Sequence, residues 1–179
     1  MQGTTRYFTV PGLGSSGPDH WQTHFERALP ACTRVEQREW DAPDRAEWVN
    51  ALDQTLAGEN LADVVLVAHS LGCVTVAHWA AQYGHRIKGA LLVAPSDVET
   101  ARYAAFPTTG FGPMPLQRLP FPSKVVFSTT DEWVSPARAR QFAAAWGSEA
   151  VDVGDAGHLN AASGYGPWPA GQALLAQWA

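Results

Sequence analysis

The apolar positions of this chain fall in short runs separated by stretches with helical spacing. Six runs carry strand character: Arg6 to Val10, Thr33 to Gln37, Asp63 to Ala68, Ile87 to Val93, Lys124 to Ser128 and Ala150 to Val153. Two of them, Val64-Val65-Leu66-Val67-Ala68 and Ala90-Leu91-Leu92-Val93, are apolar at every position rather than at every second one. Strands buried on both faces have that pattern, so it predicts a mostly parallel sheet between two helical layers. The helices show in caps and spacing. Over Asp44 to Leu56, Asp44 stands where a cap belongs, and Trp48, Leu52 and Leu56 repeat at i, i+4 and i+8. Pro136 suits a first helical turn, with Phe142 and Trp146 marking the buried stripe behind it. Ala94 to Pro122 breaks the alternation. It is proline-rich and poor in helix signals, and long loops of this kind often line binding sites.

Length and composition narrow the picture. At 179 residues one compact domain over 1–179 is expected, and no apolar run approaches a membrane span. Net charge is −5 with 12 Lys and Arg scattered along the chain, which argues against nucleic acid as a partner. Only two cysteines occur, Cys32 and Cys73, and Met1 leads almost directly into the first strand run, which together point to a cytoplasmic setting.

Chemistry concentrates at strand ends. Ala68-His69-Ser70-Leu71-Gly72 follows the most apolar run and opens a helix through Val74, Ala77 and Ala81. A small-x-Ser-x-Gly turn between strand and helix is the nucleophile elbow, in which small residues on either side of the serine let strand and helix pack while the hydroxyl stays exposed. A serine that merely caps a helix is the plainer alternative. Because a serine hydroxyl needs a base, His158 is the candidate, in a glycine-rich loop after the last strand run. The acid that orients it is expected between the two in chain order. Asp131, just past the fifth run, ranks first over Glu132, Asp97 and Asp155.

Oxyanion stabilisation needs two backbone N–H donors. Leu71, next after the serine, is one candidate, and Leu13, in the loop after the first strand, is the other. That loop, Gly12-Leu13-Gly14-Ser15-Ser16-Gly17, also spells G-x-G-x-x-G, with Glu36 downstream, which raises a nucleotide-dependent oxidoreductase as a rival. Pro18 and Asp19 directly after the third glycine count against it, because they delay the helix and put negative charge where a pyrophosphate would sit. His20 and His24 stand four apart without the glutamate of a zinc-protease helix, so no metal or other cofactor is expected. His69, His78 and His85 read as packing or surface residues.

Val10-Pro11-Gly12, Ala68 to Cys73, Leu92-Val93-Ala94-Pro95, Leu119 to Ser123, Ser128 to Asp131, Gly157 to Asn160 and Gly166 to Pro169 resemble the small serine hydrolases of the retinoblastoma-binding-protein-nine and YdeN type, over nearly the whole chain. The resemblance implies a three-layer α/β-hydrolase fold without a cap domain, and it implies Ser70 as nucleophile, Asp131 as acid and His158 as base. Members commonly have glycine where this chain has Ala68. The sheet order expected for such a fold is 2-1-3-4-5-6. The function expected is hydrolysis of small or short-acyl carboxylic esters, with thioesters and amides as variants, at a shallow pocket walled by Trp40, Phe111, Met114 and Trp133. A protein-interaction module on a hydrolase fold is the alternative from another class.

Overall fold

The computed structural model describes residues 4–179. Six strands form one sheet in the order β2-β1-β3-β4-β5-β6. They are β1 (Arg6–Val10), β2 (Cys32–Arg34), β3 (Val64–His69), β4 (Gly89–Val93), β5 (Ser123–Phe127) and β6 (Glu149–Asp152). Every pairing is parallel, not merely most of them. The helices are α1 (Trp21–Ala28), α2 (Arg45–Leu56), α3 (Leu71–Tyr83), α4 (Pro136–Trp146) and the single turn α5 (Pro169–Ala173).

Strand side chains alternate between faces, and β3 shows what that does when both faces are covered. Val64, Leu66 and Ala68 join the core beneath α2, α3 and α4, with Trp48, Leu52, Phe142 and Trp146. Val65 and Val67 enter the opposite core with Trp21, Phe25, Trp168 and Trp178. Hence the run has no polar position. Caps fall where the chemistry of the chain puts them: Asp44 accepts from the Ala46 and Glu47 N–H groups, and Ser135 caps α4 with Pro136 in its first turn. Gly84 and Gly147 end α3 and α4 in the left-handed conformation. No helix among the described residues is long and apolar enough to cross a membrane.

Strand order reverses between β1 and β3, so the loops leaving these neighbours diverge and open a crevice at the carboxyl edge. Gly72 lets the layers close there. A Cβ on it would stand 2.0 Å from the Val10 carbonyl oxygen, so no other residue fits. At the opposite rim, Thr5 Oγ1 donates to the Trp178 carbonyl at 2.8 Å. The Trp178 indole lies against Gly89, where an added Cβ would come within 2.2 Å of its Nε1.

The segment 94–122 is irregular as expected, with one 3-10 turn at Tyr103–Ala105. The expected wall residues in it fall elsewhere. Phe111 and Met114 are core residues, 2% and 5% exposed, and Phe111 packs edge-on against Trp48 at 5.9 Å. Trp40 lies against Trp48 in the same way, with centroids 5.5 Å apart. These three therefore do not line the crevice. In a loop without a hydrophobic period, an apolar side chain that packs into the core and one that lines a site look alike.

Candidate active site

Ser70 stands at the turn between β3 and α3 with φ 56° and ψ −122°. A side-chain-bearing residue pays for that left-handed backbone, and the surroundings hold it there. The Ser70 N–H donates to the Val93 carbonyl at 3.0 Å, and its own carbonyl accepts from Cys73 N–H at 3.0 Å. Positive φ recurs around it at Ser15, Ala94 and Leu159, each in a loop leaving the carboxyl edge.

Three side chains from three strand ends form a continuous hydrogen-bonded series. Ser70 Oγ is 2.9 Å from His158 Nε2, and His158 Nδ1 is 2.9 Å from both oxygens of Asp131. With Nδ1–H donating to the carboxylate, Nε2 is left to accept from the serine hydroxyl. The Asp131 side chain is fully buried, and its Oδ1 also accepts from the Trp133 N–H at 2.8 Å. The rival acids are engaged elsewhere: Asp97 and Glu132 pair with Arg138 and Arg102, and Asp155 accepts from Thr130 Oγ1.

The loops bearing Asp131 and His158 are tied together. Ser128 Oγ accepts from Ala156 N–H at 3.0 Å, and Thr130 Oγ1 accepts from Gly157 N–H at 3.0 Å. Trp21 Nε1 donates to the Leu159 carbonyl at 2.8 Å. These bonds fix where the imidazole emerges.

Gly12 explains the approach of the first loop. A Cβ on it would lie 2.8 Å from Ser70 Cβ and 3.2 Å from Leu71 N, so the Gly12–Leu13 backbone lies directly on the elbow. Leu71 is the first residue of α3, where a helix leaves its N–H groups unpaired. Leu13 N–H has no hydrogen-bond acceptor among the described residues. The loop is held from behind: Gly14 N–H donates to the Trp40 carbonyl, Arg34 Nη1 donates to the Ser16 carbonyl, and Ser16 Oγ donates to Gln22 Oε1.

Sequence reasoning passed over several residues here, Ser96, His69 and His20 among them. Ser96 is 1% exposed, and its Oγ is 2.8 Å from Ser70 Oγ. Nothing in its sequence surroundings marks it, because only sheet pairing brings the end of β4 beside the elbow. His69 is buried, its Nε2 donates to the His158 carbonyl at 2.9 Å, and burial first and His158 second hold its pKa well below 6.5. His20 is not on the helix with His24. It is the cap of α1, its Nδ1 accepting from Gln22 N–H, and burial, aided by Arg34, pushes its pKa down to about 4. Neutral and accepting at Nδ1, it carries its proton on Nε2.

Two cavities meet at Ser70. One, about 250 Å³, is polar and lined by the glycine-rich loop, His20, His69 and Asn160. The other, about 210 Å³, is walled by Ser96, Tyr103, Phe106 and Trp133. A larger groove of about 680 Å³ lies away from these residues, between Arg86, Arg118 and Glu149. The cysteines take no part. Cys73 is buried with its Sγ against the Val93 carbonyl, and burial raises both thiols, that of Cys32 to about 12.

Comparison with known proteins agrees with this architecture. The family model for serine hydrolases matches residues 7–177. A solved YdeN-like hydrolase from Pectobacterium atrosepticum is 36% identical, with 98% of this chain and 90% of that one covered and a TM-score of 0.84. The ydeN gene product of B. subtilis is 16% identical over 98% of both chains at a TM-score of 0.82, a likeness of fold. A metagenomic α/β-hydrolase from lagoon sediments in Morocco is similar in fold too, 13% identical at a TM-score of 0.70, with 98% of this chain and 90% of that one covered. No curated protein matches. Matched along almost its whole length, this chain belongs to the serine hydrolase family and is an enzyme of the hydrolase class.

Proposed function

We propose that the enzyme cleaves small carboxylic esters by way of an acyl-enzyme on Ser70. The observation that carries this reading is the unbroken series Asp131–His158–Ser70, ending on a serine in a strained turn. His158 Nε2 takes the Ser70 proton as Oγ attacks the carbonyl, and Asp131 holds the imidazole and balances its charge. The tetrahedral oxygen receives the N–H groups of Leu13 and Leu71, a reading supported by the close approach of Gly12 to the elbow. His158 then gives its proton to the leaving oxygen. Water, deprotonated by the same nitrogen, attacks the acyl carbon and frees Ser70. Thioesters and amides are open to the same chemistry, and no cofactor enters any step.

Cavities of about 250 and 210 Å³ beside Ser70 favour small-molecule substrates. We further read the chain as one domain that works in the cytoplasm, in keeping with two free, unreactive cysteines. A fluorophosphonate probe tests the proposal. Wild-type protein is expected to be labelled, while Ser70→Ala takes no label and loses about a thousandfold or more in ester turnover. Wild type that stays unlabelled and inert across an ester panel would instead favour the protein-interaction reading.

A further inference from the structure

The last residue of β3 is polar where the strand pattern calls for an apolar side chain. Val65 and Val67 enter the core beside Trp21 and Phe25, and His69, two residues further on, takes the same face. It is 5% exposed, edge-on to Trp21 with centroids 5.9 Å apart, and in contact with the rings of His20 and His158 at 4.8 and 4.9 Å. An imidazole buried in this way gives up its hydration, so valine or leucine would suit the packing better. What the imidazole adds is a donor. The His158 carbonyl accepts from its Nε2 at 2.9 Å, and a carbonyl has no proton to give, so Nε2 carries the hydrogen. Burial, with His158 and His20 beside it, keeps the ring neutral, its pKa well below 6.5.

The main chain at His158 needs such a support. It belongs to no strand or helix, and the backbone on both sides is left-handed, with φ 54° at Gly157 and 51° at Leu159. Neither polar backbone group of His158 has a backbone partner among the described residues: its N–H donates to Ser163 Oγ at 3.2 Å, and its carbonyl is held by His69. Ser163 lies in the same loop, and Trp21 and Thr130 grip the neighbours, at Leu159 and Gly157. His69 stands instead on β3, which pairs with β1 on one side and β4 on the other, and the next residue is Ser70. A closed ring therefore runs from Ser70 through His69 to the His158 carbonyl, out along the His158 side chain, and back to Ser70 Oγ at 2.9 Å. We infer that His69 is a positioning residue, whose Nε2–H ties the main chain of the base to the strand that bears the nucleophile and so fixes the reach of the imidazole to Ser70. The inference rests on Ser70 and His158 acting as nucleophile and base.

The test compares His69→Met, which fills similar space without a donor, with His69→Gln, whose side-chain amide nitrogen can reach where Nε2 stands. On a short-chain ester such as 4-nitrophenyl acetate, His69→Met is expected to lower kcat about ten- to a hundredfold with KM within about twofold of wild type. Fluorophosphonate labelling is expected to slow by a similar factor yet reach the wild-type endpoint, because the site is folded and only the base is misplaced. A role confined to packing lowers the endpoint with the folded fraction and leaves the rate of the remainder unchanged. His69→Gln is expected to restore kcat and labelling rate to within about threefold of wild type. If His69→Met does not fold, His69→Asn, whose amide stops one methylene short of the carbonyl, takes its place with the same expectations. Labelling of the donorless variant at the wild-type rate, or a His69→Gln variant as slow as it, overturns the inference. The wild-type sample separates this from the reading beneath it. Wild type that takes no label refutes the catalytic serine, whereas labelled wild type beside an equally fast His69→Met refutes only the tie.

Discussion

At the scale of single residues, Ser96 and the two buried histidines carry the sharpest consequences. Ser70 Oγ touches both His158 Nε2 and Ser96 Oγ. For the Ser70 proton to lie toward His158, Ser96 must be the donor in their mutual bond, which orients the Ser70 hydroxyl. Ser96→Ala is therefore expected to lower kcat and the rate of fluorophosphonate labelling together by about three- to tenfold, with KM changed less. Steady-state kinetics read beside labelling rates check this. His20 and His69 are both held neutral by burial, their pKa values depressed from 6.5, that of His20 to about 4. A depressed histidine stabilises the fold above its unfolded pKa, where neither state binds the proton. Below that, the unfolded chain takes up protons that the folded one refuses. The melting temperature should thus fall as pH drops from about 6.5 toward 4, and His20→Ser, which keeps a cap on α1, should flatten part of the slope.

At the scale of elements, the loop after β1 matters most. Its resemblance to a dinucleotide cradle comes from glycines that serve a different purpose: Gly12 brings backbone onto the elbow, and Gly14 takes φ 75° in the turn behind it. Gly12→Ala places a methyl carbon 2.8 Å from Ser70 Cβ and must push the loop away. Displacing one oxyanion donor should cost about a hundredfold in kcat. Gly17→Ala meets nothing within 4 Å and should change kcat less than twofold, so the pair separates close approach from loop composition. β3 and β4 were readable because a strand with both faces buried favours an apolar residue at every position. Ser70 could be singled out because it follows β3, and Asp131 and His158 because each follows a later strand run in the chain order serine, acid, histidine. Trp133 was within reach for the same reason, two residues past Asp131. Phe106 and Tyr103 were not, because segment 94–122 has no period, and nothing local separates rings that line a cavity from Phe111, which packs against Trp48.

At the scale of the whole molecule, one parallel sheet sends its functional loops to one rim and gathers Thr5, Gly89 and Trp178 at the other. The switch in strand order between β1 and β3 supplies the crevice, and two helical layers leave it open without a cap. The Thr5–Trp178 contact has a practical side. A linker grafted beyond Trp178, or a surface coupled there, holds the protein by the rim farthest from Ser70. Immobilised on a bead or fused to a carrier in that orientation, the enzyme presents its mouth outward to passing substrate.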